Sequence, residues 1–186
     1  GYPAGLLIPA NLIGVWLGLA FILGASARTV PTGALRGLVG LLSAVVAYYL
    51  LIGLLGDGFR AIGASHAATV WGGVAIVMGP LLGAAGGAWR HATGWPRALG
   101  VGLLAAALIA EGIVFGADRL VRFDPLVDPG SLILAAEIVI GAALPFALLG
   151  PGERLRGYLT TVGLAVVAAV AIGPITTLVR GIADRF

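Results

Sequence analysis

The sequence predicts an all-α fold: a polytopic transmembrane helix bundle of six spans, forming one domain over residues 1–186. Two observations predict it. Sixty per cent of the 186 residues are hydrophobic and ten per cent are charged, where a soluble domain carries roughly a quarter charged residues. The mean hydropathy of +1.08 leaves far more apolar surface than a soluble globule of this size could hide. It equally excludes a disordered chain, which would be polar and charged. The second observation is spacing. Apolar runs of the roughly 20 residues needed to cross a bilayer recur along the chain.

The spans read in order as 6–25, 35–55, 68–89, 98–117, 131–149 and 158–179. Arg, Asp, Gly or Pro bounds each one, as helix ends require. Backbone polar groups must be satisfied within lipid, so helices are expected rather than open strands. The first span lacks the basic start of a signal peptide, and Pro9 and Asn11 interrupt it. The link from Asp118 to Gly130, DRLVRFDPLVDPG, reads as a short interfacial helix and a Pro-containing turn. Pro80, Pro145 and Pro174 fall inside spans and remove backbone donors there. Glycines four apart (Gly14 and Gly18; Gly79, Gly83 and Gly87; Gly112 and Gly116) predict ridges where helix backbones approach closely. They leave a homo-oligomer open.

Composition excludes several functions. No cysteine is present, so disulfides and thiolate chemistry are ruled out. His66 and His91 read as residues of different loops, so no metal site is expected. All eleven basic residues are Arg, with no basic stripe for a nucleic acid. The Arg usage and the Ala, Gly and Val content suit a high-GC bacterial genome. The expected location is therefore a bacterial plasma membrane, with multiple passes and the lipid bilayer as surroundings.

Glu111 and Glu137 stand out, because intramembrane carboxyls are costly and usually face a bundle interior. Counted from the link between their spans, both lie roughly 9–10 Å below one surface. Short-linked helices are usually neighbours, so the two carboxyls are expected to approach one another. Asn11, Trp16, Tyr48, Tyr49, Trp71, Phe115 and Thr176 are the candidate substrate-binding residues. Most fall in the same half of the bundle, which reads as a polar and aromatic cavity. The other half reads as plain packing of Leu, Val, Ala and Gly. Blander roles fit the same residues. Trp71 and the tyrosines suit an interfacial belt, as do Trp89 and Trp95. Asn11 and the threonines suit helix–helix hydrogen bonds. The glutamates suit a structural pair.

A neutral carboxylic acid in a dry site can donate a proton, and aromatic faces stabilise cations where water is excluded. Together they suit protonation of an alkene or epoxide in a hydrophobic isoprenoid, followed by cyclisation through carbocations. Glu111 and Glu137 are then the candidate catalytic residues, and no cofactor is expected. Diphosphate ionisation would need clustered acids to hold Mg²⁺, and Asp118, Asp124 and Asp128 are unpaired and interrupted by Arg119 and Arg122. A proton-coupled transporter or channel, or a structural subunit, remains open beside the enzyme.

The segments PANLIGVWLGLAFILGA, ALRGLVGLLSAVVAYYL, VMGPLLGAAGGAW and AEGIVFGA resemble a family of small actinobacterial polytopic proteins with no known activity. The size, span count and two buried acids also resemble the integral-membrane terpene cyclases of bacterial indole-sesquiterpenoid and fungal meroterpenoid pathways. That second resemblance implies a hydrophobic prenylated substrate and a proton supplied by Glu111 or Glu137.

Overall fold

The computed structural model describes residues 13–55, 62–122 and 129–183; within them, side chains are described for 13–51, 54, 68–114, 131–168 and 170. Six helices follow in order: α1 (Ile13–Ala25), α2 (Val30–Leu55), α3 (Ile62–His91), α4 (Trp95–Arg122), α5 (Pro129–Leu148) and α6 (Pro151–Ala183). No strand occurs among the described residues. Among the described residues, four segments are long and apolar enough to cross a membrane: Val30–Leu51, Ala68–His91, Trp95–Val114 and Ser131–Leu148. α1 is equally apolar over its 13 described residues. Many large apolar side chains are more than half exposed, among them Ile22, Val39, Val77, Val139 and Phe146. That is the surface of a protein solvated by lipid rather than water.

The chain divides into two compact units, Gly1–Gly100 and Val101–Phe186. In the first, α1, α2 and α3 pack against one another. Lipid is as apolar as leucine, so close packing must hold such helices together. Here glycine supplies it. A Cβ on Gly79 would stand 2.8 Å from the Leu38 Cα and 3.0 Å from the Gly37 carbonyl oxygen. Gly24 of α1 and Gly33 of α2 both meet the backbone of Gly83, and Gly86 meets Phe21 of α1. The seam thus runs through all three helices at the end bearing the α1–α2 and α3–α4 links.

Local chemistry closes that end. Thr29 caps α2: its Oγ1 accepts the Thr32 N–H at 3.3 Å, which satisfies a donor the helix start leaves open. Arg36 Nη1 donates to the Ser26 carbonyl at 2.8 Å and to its Oγ at 3.0 Å. His91 Nε2 donates to the Ala27 carbonyl at 2.6 Å. Gly94 turns the chain from α3 into α4 with φ of 67°, a conformation that costs any residue with a Cβ.

In the second unit, α4 meets α5 where a Cβ on Gly141 would lie 2.8 Å from the Ala105 carbonyl oxygen. Gly102 of α4 packs on Thr160 and Thr161 of α6. Both threonine hydroxyls donate to the Gly157 carbonyl at 2.8 Å. The turn from α5 to α6 is held by the Arg154 side chain. Its guanidinium lies 4.0 Å from the Phe146 ring centroid, and its Nε donates to the Leu149 carbonyl at 3.3 Å.

Several sequence expectations need correction. α4 continues unbroken through Asp118 to Arg122, so the first part of that link is no separate interfacial helix. His66 lies within α3 rather than in a loop. His91 ends α3 and is tied to the first link, so it is not simply solvated. Gly18 faces open space and forms no packing ridge. Trp89 stacks on Phe21 with ring centroids 5.7 Å apart, an interaction within the unit rather than a role in the belt alone.

Candidate functional site

The helices that touch at the glycine seam enclose a cavity of about 250 Å³ toward their other end. From Gly37 in the seam to Tyr48 on the cavity wall is eleven residues of α2, about 16 Å of rise. Small residues let the three axes meet at one end. Bulky rings occupy the space between them at the other.

Each helix contributes to the wall. α1 supplies Ile13, Trp16 and Leu17. α2 supplies Leu41, Val45, Tyr48 and Tyr49. α3 supplies Trp71, Val74 and Ala75. The rings interlock at steep angles. Trp16 and Tyr48 have centroids 6.2 Å apart with planes at 77°. Tyr48 and Tyr49 lie 5.2 Å apart with planes at 89°. Edge-to-face pairs of this kind are favourable. No Asp, Glu, Lys or Arg lines the cavity among the described residues.

On α2, Leu41 lies seven residues from Tyr48, about 10 Å farther from the α2–α3 link. On α3, Trp71 lies nearer that link than Val74 and Ala75.

The carboxyls belong to the second unit. Glu111 and Glu137 are each only 6% exposed. Glu111 precedes Gly112, where an added Cβ would lie 2.7 Å from the Leu134 carbonyl oxygen and 2.5 Å from Ile138 Cγ1. Glu137 precedes Ile138. The α4–α5 contact thus sets the two glutamates on facing helices, each next in sequence to a residue of that contact. Glu137 Oε2 is buried and has no hydrogen-bond partner, a costly state for a polar atom.

Of the residues singled out from the sequence, Trp16, Tyr48, Tyr49 and Trp71 share one cavity, and Glu111 and Glu137 share one helix contact. Asn11 lies outside the described residues, as do the side chains of Phe115 and Thr176. The aliphatic lining (Ile13, Leu17, Leu41, Val45, Val74 and Ala75) escaped sequence reasoning. Nothing in an apolar residue's identity distinguishes a cavity wall from a lipid-facing surface. No group of three or more His, Cys, Asp or Glu able to hold a metal occurs among the described residues.

Fold and site together define a helical membrane protein with an aromatic cavity and a buried carboxyl pair. The chain belongs to a family of unknown function, DUF6518, whose profile matches residues 3–181. No curated protein and no solved structure matches it.

Proposed function

We propose that this six-span chain binds a hydrophobic, isoprenoid-type small molecule within the bacterial membrane, and that it cyclises this substrate by proton addition. The cavity lined by Trp16, Tyr48, Tyr49 and Trp71 carries the binding half of the reading. The described wall residues are uncharged, which suits an apolar chain, and aromatic rings suit positive charge developing on it. The volume of about 250 Å³ sits just under the usual range for small-molecule sites, roughly 300–1,000 Å³. It suits a short prenyl chain or the reacting part of a longer one.

The buried carboxyls of the second unit support the chemical half through their burial alone. In such a reaction a carboxyl gives its proton to an alkene carbon, and the new cation closes a ring. Loss of a proton from carbon then restores the acid, so the net reaction is an isomerisation. Glu111 and Glu137 are the proposed acid and its partner. The unpartnered Glu137 Oε2 also suits a proton-coupled carrier, the second reading, since buried intramembrane acids mark proton paths as well.

The test uses the full chain in lipid nanodiscs. Titration with farnesol should quench tryptophan fluorescence saturably, and a prenylated aromatic substrate should yield a cyclised isomer of unchanged mass. Saturable binding without product, together with proton flux in vesicles, would favour the carrier. No saturable binding of any prenyl probe would remove the proposal.

A further inference from the structure

The rings of the cavity are turned against one another rather than stacked. Steep angles at Trp16–Tyr48 and Tyr48–Tyr49 form the corner of a box, with Trp71 lining the same cavity from α3. Ring faces carry negative potential, and boxes of this kind hold quaternary ammonium groups. Position along the helices adds an orientation. Tyr48, Tyr49 and Trp71 lie toward the α2–α3 link, and Leu41, Val45 and Val74 lie farther from it.

We propose that the cavity is selective for an amphiphile whose head is an organic cation, held among Trp16, Tyr48, Tyr49 and Trp71, with its apolar tail against Leu41, Val45 and Val74. This rests on the ligand-binding reading above and gives its chemical class: a positive charge spread over carbon and nitrogen. A choline lipid headgroup and a free alkylammonium share this chemistry.

The experiment uses two probes on the full chain in nanodiscs of uncharged galactolipid, which carries no choline. One is geranyltrimethylammonium; the other is its neutral isostere, with carbon in place of nitrogen. Binding is read from tryptophan fluorescence. The cation should bind about tenfold tighter than the isostere. Trp71→Leu should abolish that preference, and Trp71→Phe should keep part of it. Trp71→Leu should keep its helical circular dichroism, and Val77→Ala, an exposed change outside the cavity, should leave the preference intact. Repeating the titration in phosphatidylcholine separates the sources. Weaker apparent binding there identifies the lipid headgroup as the competing ligand, and unchanged binding identifies the free cation. Equal affinity for the two probes would overturn the inference and leave the binding reading standing. Failure of both probes to bind would overturn both.

Discussion

Gly83 of α3 rests directly on Gly37 of α2: a Cβ added to Gly83 would lie 2.9 Å from the Gly37 Cα. The listeners to that contact are backbone atoms, which cannot rotate aside as a side chain could. Gly83→Ala should therefore lower the stability of the first unit by about 1–3 kcal/mol, the usual cost of overpacking. Gly18→Ala, on the same bundle but with nothing within 4 Å of the new Cβ, is the control and should leave stability unchanged. Thermal unfolding in mild detergent compares them, and equal midpoints would contradict the seam.

Filling the cavity separates binding from folding. Ala75 lines it and is 1% exposed. Ala75→Phe should occupy the space, weaken farnesol binding by at least about tenfold and leave the helices intact, because the new ring meets a void rather than packed atoms. Circular dichroism and fluorescence titration measure the two effects. Undiminished binding would place the ligand elsewhere.

Glu137→Gln replaces a buried carboxyl with an amide of the same shape that cannot supply a proton. Product formation should fall by about 10²-fold or more, the contribution of a positioned general acid, while ligand binding persists. Glu111→Gln should be compared in the same assay. Turnover that survives both substitutions would remove these carboxyls from the chemistry.

Gly94→Ala tests the turn between α3 and α4. With φ at 67°, alanine should cost about 1–2 kcal/mol. The neighbouring exposed change Trp95→Phe should cost less. Denaturation of both variants in one detergent gives the comparison.

Much of this arrangement can be read from the sequence. Trp16, Tyr48, Tyr49 and Trp71 converge because antiparallel helices of similar length place a residue's depth by counting from the links. The same count brings Glu111 and Glu137 together across α4 and α5. The glycine seam is only half legible. Gly79, Gly83 and Gly87 repeat along one helix, but the partners Gly24, Gly33 and Gly37 depend on how the helices cross. Helix crossing is set by three surfaces at once, and no single segment encodes it. Gly18 shows the reverse error, since regular spacing on α1 met no neighbour.

The seam and the cavity lie on the same three rods, and this gives the first unit the mechanics of a pair of tongs. Backbone contact at Gly37, Gly79 and Gly83 is the fulcrum, and the rings about 16 Å away are the jaws. A small change of crossing angle at the fulcrum becomes a larger change in gape at the rings. On the proposed binding reading, ligand size preference is then set from a position that no ligand touches. A milder seam substitution, Gly87→Ala, whose Cβ would lie 3.0 Å from the Val30 Cα, should shift the preferred prenyl chain length, and an unchanged preference would show that the jaws are set locally.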